Sequence, residues 1–324
     1  MSTNVRPRRK SYDYDRAIRQ GVAGGLAGCI AKTVVAPLDR VKILFQASNP
    51  DFQKYAGSWS GAFRAGAQIF HEMGVRGLLQ GHSATLLRVF PYAGIKFLAY
   101  DQVHDALMPT PAHETNLRRF VAGACSGAIS VFFTYPLELI RVRMAFHTQH
   151  TSANTSARLS FIQAARLVYR EGAGMQTSAK PEFEAFPILK FYRGFTVSLI
   201  GIVPYAGTSF LAWGYLRSTI LPPPPPGSTR RPSSPATDLA TGAVCGVVAQ
   251  TVSYPFEVVR RQMQVGGLTR PDRWLRWGET VRAVYARGGW RAFYVGLSIG
   301  WIKIVPMNAV SFAAWQGLKR LFDV

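Results

Sequence analysis

Residues 37–46 read PLDRVKILFQ and close an apolar run that begins near Gly21. Residues 136–143 (PLELIRVR) and 255–264 (PFEVVRRQMQ) close two similar runs farther along. A proline inside an apolar helix removes one backbone hydrogen bond and clashes with the preceding turn, so each stretch predicts a kinked helix. An acid stands two residues after each proline and a base five after it, giving Asp39 and Lys42, Glu138 and Arg141, and Glu257 and Arg260. We expect these groups to close a ring of ion pairs around a pseudo-threefold axis.

The spacing of the prolines indicates a triplicated unit of about one hundred residues. The three motif prolines are 99 and then 119 residues apart. A second triplet, Pro91, Pro204 and Pro306, follows the first by 54, 68 and 51 residues, in the related texts PYAGIKF, PYAGTSF and PMNAVSF. Each repeat therefore contains an odd helix that ends at the acidic motif, a linking segment, and an even helix that passes through the second proline.

The pattern P-x-[DE]-x-x-[KR], present three times in 324 residues, resembles the mitochondrial carrier family. The resemblance implies an all-α membrane protein, in which six tilted transmembrane helices form three pseudo-symmetric repeats with short matrix helices. The expected divisions are a disordered tail 1–14, repeats 15–108, 109–220 and 237–324, a matrix insertion 173–190 and a proline-rich linker 221–236. The family's second signature, an acid and glycine followed by an aromatic, a base and glycine, is complete only at residues 171–172 and 192–194.

The chain carries a net charge of +21, which could serve nucleic acid, an anionic membrane surface or an anionic substrate. Much of the excess lies in segments that the implied topology places on the matrix side, as the positive-inside rule requires. We therefore expect no nucleic-acid partner. The resemblance implies a multi-pass protein of the mitochondrial inner membrane, monomeric, with membrane lipids including cardiolipin as partners.

Cations interrupt the apolar spans at Lys32, Arg88, Lys96 and Lys303, and no acid in those spans is placed to neutralise them. A charged group at mid-membrane costs about 2.5–3.5 kcal/mol on insertion scales, so such residues face water and usually serve function. The prediction is a water-filled cavity that attracts a polyvalent anion.

The triplication provides an internal control, because an asymmetric ligand needs residues that differ between the repeats. Three residues before each even-helix proline stand Arg88, Gly201 and Lys303. The pair Gly201–Ile202 predicts an apolar slot for an aromatic base, and its position resembles the adenine-nucleotide-related branch of the family. The candidate substrate-binding residues are Lys32, Arg88, Tyr92, Lys96, Gly201, Ile202, Tyr205, Ser209 and Lys303.

The text of residues 45–55 and 77–102 looks closest to fungal carriers of coenzyme A. Coenzyme A joins an adenine ring to a pyrophosphate and a ribose 3′-phosphate, which four cations and an apolar slot suit. ATP or adenosine 3′,5′-bisphosphate would suit almost equally, so an adenine nucleotide carrier is the alternative. No enzyme motif is visible, and we expect no catalytic residue, metal or cofactor, coenzyme A being a substrate.

The resemblance implies cyclic pairing at the matrix gate, joining Asp39 to Arg141, Glu138 to Arg260, and Glu257 to Lys42, with Gln46 and Gln264 as braces. The opposing, cytoplasmic gate keeps Tyr100, Asp101, Arg217 and Lys319, in which only one acid remains. We therefore expect that gate to close weakly and the substrate-free protein to rest open toward the intermembrane space.

Small residues four apart allow close approach of helices in lipid. The pairs Gly24/Gly28, Gly123/Gly127 and Gly242/Gly246 have this spacing and are expected to pack helix against helix. Cys29, Cys125 and Cys245 lie on small-residue helix faces without disulfide or metal spacing, and are expected to be packing residues too.

Overall fold

A computed structural model describes residues 9–58, 60–110, 115–148, 159–171, 186–220, 235–269 and 275–322. The described part of the chain contains helices and short 3₁₀ turns and no strand. In chain order the helices are α1 Arg9–Gln46, α2 Gly61–Leu78, α3 His82–Leu107, α4 Asn116–Phe146, α5 Phe161–Arg170, α6 Phe195–Ile220, α7 Pro235–Thr269, α8 Trp277–Gly288 and α9 Leu297–Leu321. Each of the six long helices has one proline in its interior. The motif prolines lie in α1, α4 and α7, and the prolines of the second triplet lie in α3, α6 and α9. The all-α prediction is confirmed.

The six long helices form a closed ring. The first long helix of each repeat (α1, α4 and α7) is its odd helix, and the second (α3, α6 and α9) is its even helix. Helix α3 packs along α4, α6 along α7, and α9 along α1, so each even helix packs chiefly against the odd helix of the next repeat. The short helices α2, α5 and α8 each pack against the odd helix of their own repeat. The odd helices α1, α4 and α7 also contact one another. We call the end that carries Asp39, Glu138 and Glu257 the motif end.

A buried apolar cluster closes the ring axis at the motif end. Ala47, Phe146 and Val265 stand ten residues after the three motif prolines and belong to one cluster, to which Ile43 and Val142 add aliphatic groups four residues earlier. Each odd helix thus contributes equivalent side chains to one plug. Three further clusters hold the short helices against the outside of the same end.

The turns that lead into the even helices repeat with the same symmetry. Gly81, Gly194 and Gly296 have φ of 87°, 79° and 82°, the left-handed region that favours glycine. A Cβ at Gly81 would lie 2.9 Å from the carbonyl oxygen of Arg141, and one at Gly194 would lie 3.3 Å from that of Arg260. These glycines therefore let each repeat approach the motif helix of the next, even where the rest of the second signature is lost.

The structure changes some of the expected boundaries. Helix α1 begins at Arg9, so residues 9–14 of the expected tail are helical, and α7 begins at Pro235, inside the expected linker. The first residues of α1 and α7 are polar and lie beyond the apolar span, so hydropathy does not indicate that they are helical. Residues 1–8 of the tail, 173–185 of the insertion and 221–234 of the linker lie outside the described residues.

The prediction that the glycine pairs pack helix against helix is wrong for Gly24/Gly28 and Gly123/Gly127. A Cβ at Gly24, Gly28, Gly123 or Gly127 would meet nothing within 4 Å, and at Gly242 and Gly246 the nearest atoms lie at 3.8 and 4.0 Å. The close approach occurs one residue away, where a Cβ at Gly25 would lie 2.7 Å from the Phe90 ring. Cys245 is buried as expected for packing, whereas Cys125 is exposed.

Apolar side chains cover the outside of the ring. Phe97, Leu211 and Val305 expose 75%, 77% and 64% of their surface, which is costly in water and favourable in hydrocarbon. Five helical stretches are long and apolar enough to cross a membrane. They include every long helix except α3, whose hydropathy Arg88 and Lys96 lower. Since α3 completes the ring, it lies at the same depth as the others.

Candidate functional site

Three ion pairs join the odd helices at the motif end. Arg141 Nη2 lies 3.0 Å from Asp39 Oδ2, and Lys42 Nζ lies 2.9 Å from Glu257 Oε1. Arg260 pairs with Glu138. Each pair links one repeat to the next, so the three contacts predicted for the matrix gate are present.

Glu138 receives a further cation that the sequence analysis missed. Arg261 Nη1 lies 3.2 Å from Glu138 Oε1, and Arg261 is 8% exposed. It stands six residues after Pro255, where the other repeats carry the aliphatic Ile43 and Val142 of the axial plug. The available signal was the doubled arginine of the third motif, which has a single base in the corresponding place in the other two.

The two predicted braces differ. Gln264 accepts a hydrogen bond from Arg261 Nη1 at 2.8 Å and donates one to the Tyr135 hydroxyl at 3.1 Å. Gln264 is thus linked to Glu138 by way of Arg261, which is not a member of the three predicted ion pairs. Gln46 is buried near Gly296, and among the described residues its amide makes no hydrogen bond with Lys42 or Glu257. That Gln46 braces an ion pair of the matrix gate stays a prediction.

The complete copy of the second signature forms a buried triad. Arg143 Nη2 lies 2.8 Å from Glu171 Oε2, and Arg193 Nη2 lies 2.9 Å from Glu171 Oε1. In repeat 1 the equivalent places hold Leu44, Met73 and Gln80. In repeat 3 they hold Gln262, Gly288 and Val295. One repeat thus has all three charged residues, and the other two repeats have only neutral residues at these places. This is expected because a buried charge without a partner is costly.

In repeat 1 a different arginine ties the short helix to the ring. Arg40, 2% exposed, donates hydrogen bonds to the carbonyl oxygens of Gly77 on α2, Ala145 at 3.3 Å and His147 at 3.1 Å. These contacts join α1 and α2 to the end of α4. Burial and the adjacent Arg40 lower the pKa of His147, which lies just beyond the apolar span of α4, so its neutral form is favoured.

Two of the predicted substrate contacts are paired with motif acids. Arg88 Nη1 lies 2.9 Å from Glu138 Oε2, and Lys303 Nζ lies 2.8 Å from Asp39 Oδ1. The expectation that no internal acid neutralises these cations is therefore wrong. It considered acids within the same spans, whereas the convergence of the odd helices brings the motif acids within reach of the even ones.

The pairing leaves the cluster positively charged. Each oxygen of Asp39 contacts one cation, and Glu138 contacts three. The electrostatic surroundings of Lys32 include Arg141, Asp39, Lys303 and Arg88, so it belongs to the same cluster. With three carboxylates and seven cations, these residues leave an excess of four positive charges: Asp39, Glu138 and Glu257 against Lys32, Lys42, Arg88, Arg141, Arg260, Arg261 and Lys303.

An apolar cavity lies between α6 and α7 beside this cluster. Together with the open solvent at its mouth it encloses about 480 Å³, and its walls include the predicted residues Gly201, Ile202 and Tyr205 together with Phe256. Arg260 and Glu257 line its charged side. A Cβ at Gly201 would lie 3.0 Å from the Cβ of Phe256, so a side chain there would narrow the slot against α7. The predicted apolar slot is present.

A second cavity, of about 770 Å³ together with the open solvent at its mouth, adjoins the first between α7 and α9. The two share Tyr205, Ser253 and Glu257 in their walls, and the second also reaches Lys303. The structure thus brings Gly201, Ile202, Tyr205 and Lys303 to one continuous space. Its other lining residues are Gly242, Gly246, Gln250, Ile304, Met307 and Asn308.

The remaining predicted contacts lie on the other side of the ring or nearer the opposite end. The Arg88 guanidinium lies 5.3 Å from the centre of the Tyr92 ring, a cation–π contact. Lys96, one helical turn beyond Tyr92, is exposed, and Ser209 on α6 is half-buried. Neither is among the residues that line the two cavities.

At the end opposite the motifs, the contacts described for the predicted cytoplasmic gate stay within single helices. The Tyr100 ring lies 5.8 Å from the His104 ring, Arg217 lies 5.7 Å from the centre of the Trp213 ring, and Lys319 lies 4.7 Å from that of Trp315. Among the described residues Asp101 forms no ion pair with Lys319. The three ion pairs between the odd helices thus lie at the motif end, and the predicted cytoplasmic gate lies at the other end of the same ring.

A ring of six helices in three repeats, with an ion-paired end and a cationic interior, defines a multi-pass membrane carrier. The family model described as "Mitochondrial carrier protein" matches three successive segments, residues 14–110, 112–222 and 231–323. The chain therefore belongs to the mitochondrial carrier family, and it is a multi-pass protein of the mitochondrial inner membrane.

Relatives align along almost the whole chain. An uncharacterised mitochondrial carrier of Schizosaccharomyces pombe is 44% identical, covering 100% of this chain and 99% of its own. The mitochondrial carrier protein LEU5 of Saccharomyces cerevisiae is 40% identical over 98% of this chain and 93% of its own. The mitochondrial carrier protein CoAc2 of Zea mays is 33% identical over 95% and 88%.

Proposed function

We propose that this carrier moves coenzyme A, or a closely related adenine nucleotide, across the mitochondrial inner membrane by alternating access. The observation that carries the proposal is the apolar slot of Gly201, Ile202 and Tyr205, which opens beside Arg260 and joins a space that reaches Lys303. An aromatic base fits the slot, and phosphates fit the cations beside it.

The excess positive charge favours a ligand that carries several negative charges. A monovalent or neutral solute would leave most of these cations without a counter-charge in a space walled by low-dielectric protein and lipid. Coenzyme A carries a pyrophosphate and a 3′-phosphate. The name of the Zea mays relative, CoAc2, agrees with this choice within the adenine nucleotides.

The ion pairs suggest how binding is coupled to opening. A phosphate that binds Arg88 and Lys303 competes with Glu138 and Asp39 for the same cations. Binding would therefore weaken contacts between the even helices and the motif helices while the ligand is held. The odd-helix pairs would then separate as the opposite end closes, which is the population shift that alternating access requires.

Exchange in liposomes tests the proposal. Purified protein would be reconstituted and loaded with coenzyme A, and uptake of coenzyme A, dephospho-coenzyme A, ATP and adenosine 3′,5′-bisphosphate would be compared. We expect coenzyme A to be taken up fastest. Faster uptake of ATP or the bisphosphate would favour the adenine nucleotide alternative, and uptake of none of the four would overturn the proposal.

We also propose that the protein is a monomer and binds cardiolipin. The mass of the purified protein tests the first, and recovery of uptake when cardiolipin is added back to delipidated protein tests the second.

A further inference from the structure

The second cavity has a different chemical character from the first. Its wall carries two neutral amides, Gln250 on α7 and Asn308 on α9, together with glycines Gly242 and Gly246. The first cavity is walled by Ile202, Phe256 and the Tyr205 ring, and no amide side chain is among its lining residues. The space is thus divided into an apolar part and an amide-bearing part.

The amides are specific to repeat 3. Asn308 stands two residues after Pro306, where the other repeats carry Ala93 and Ala206. Gln250 stands five residues before Pro255, where they carry Lys32 and Val131. A framework of three similar units does not need an amide at these places, since two of the units fold without one. The difference therefore points to a ligand.

The local packing leaves room for the amide of Gln250. A Cβ at Gly300 would lie 2.6 Å from Gln250 Nε2, so glycine there makes the space in which the amide lies. The equivalent residues of the other repeats are Thr85 and Ser198, which carry side chains. Within the described residues, no hydrogen bond occupies the side-chain amide of Gln250 or Asn308. Both amides are half-buried and can donate and accept.

We propose that Gln250 and Asn308 bind the neutral, amide-containing arm of the substrate, and so distinguish coenzyme A from shorter adenine nucleotides. The inference rests on the proposed function. The pantetheine arm of coenzyme A is uncharged along its length and carries two secondary amides, each of which offers one donor and one acceptor. With the adenine in the apolar cavity and a phosphate at Lys303, the arm extends into the second cavity, past the glycine faces of α7.

Two variants copy residues that the chain already uses at equivalent places, which protects the fold. Asn308→Ala reproduces Ala93 and Ala206, and Gln250→Val reproduces Val131. Gln102→Ala removes an exposed amide of α3 that lines neither cavity and is the matched control. For each protein, the KM for coenzyme A in liposomes and the inhibition of that uptake by adenosine 3′,5′-bisphosphate, which lacks the arm, would be measured.

We expect the double variant Gln250→Val/Asn308→Ala to raise the KM for coenzyme A about tenfold, while the bisphosphate inhibits within twofold of its wild-type potency. Gln102→Ala should change neither. An unchanged KM for coenzyme A, an equal loss of both ligands, or a bisphosphate that fails to inhibit the wild type would each overturn the inference. Absence of coenzyme A uptake by the wild type would instead refute the proposed function, so the two failures are distinguishable.

Discussion

Lys303 Nζ on α9 lies 2.8 Å from Asp39 Oδ1 on α1, so a predicted substrate-binding residue forms an ion pair with a predicted gate residue. Arg88 and Glu138 repeat this relationship one third of the way around the ring. In the third position the residue is Gly201, which opens the apolar slot instead. The same depth in the ring therefore holds both the binding site and the link to the motif end.

Replacing either linking cation should stop transport while the protein stays folded. Lys303→Ala leaves Asp39 with Arg141, and Arg88→Ala leaves Glu138 with Arg260 and Arg261, so neither carboxylate loses all its partners. We expect coenzyme A uptake to fall at least a hundredfold, about 2.7 kcal/mol, and the purified variants to retain a cooperative thermal transition. Uptake at the wild-type rate would remove these residues from the site.

Replacing Arg261 by valine should loosen the motif end. The variant restores the aliphatic character of Ile43 and Val142 at this place, but it removes hydrogen bonds to Glu138 and Gln264. Hydrogen bonds to charged groups contribute about 1.5–3 kcal/mol each. Because Glu138 keeps two other cations, we expect the free energy of unfolding to fall by an amount near the lower figure. The thermal midpoint of the substrate-free protein measures it. A higher midpoint would show that the aliphatic plug outweighs the ion pair.

The triad of repeat 2 can be exchanged for its neutral counterpart. Arg143→Leu alone leaves Glu171, 5% exposed at its side chain, with Arg193 as its described ion-pair partner, and removing one member of a buried pair costs about 3–5 kcal/mol. The triple change Arg143→Leu/Glu171→Met/Arg193→Gln copies Leu44, Met73 and Gln80 of repeat 1. We expect it to recover most of the stability that the single change loses. Denaturation of the single and triple variants decides the matter; equal losses would contradict it.

The resting orientation can be measured by cysteine accessibility. Ser209→Cys would be introduced into a protein whose Cys29, Cys125 and Cys245 are first replaced by serine, because Cys125 is exposed and would react. Without substrate, a membrane-impermeant thiol reagent should label position 209 from the intermembrane-space side. Labelling from the matrix side alone would show that the motif end is the open one.

The sequence was sufficient for the ring, because a motif repeated three times predicts both the helices and the symmetry that joins them, and the family resemblance implied which acid pairs with which base. It was not sufficient for the contacts between different elements within that ring. Arg88 and Glu138 are far apart in sequence, and their contact depends on how closely α3 and α4 converge. The prediction for Gly24/Gly28 and Gly123/Gly127 failed for a related reason, since spacing alone does not distinguish a packed helix face from an open one.

The extra segment of repeat 2 is fastened where it leaves and rejoins the ring. Lys190 donates hydrogen bonds to the carbonyl oxygens of Tyr169 at 3.3 Å and Glu171 at 2.6 Å, and the Glu171 carboxylate holds Arg143 and Arg193. The distance between α5 and α6 is thereby set by Lys190, the last residue of the segment, together with residues outside it. Lineages could therefore lengthen, shorten or rewrite this stretch over evolutionary time without disturbing the translocation path, which makes it a suitable place for a reporter tag.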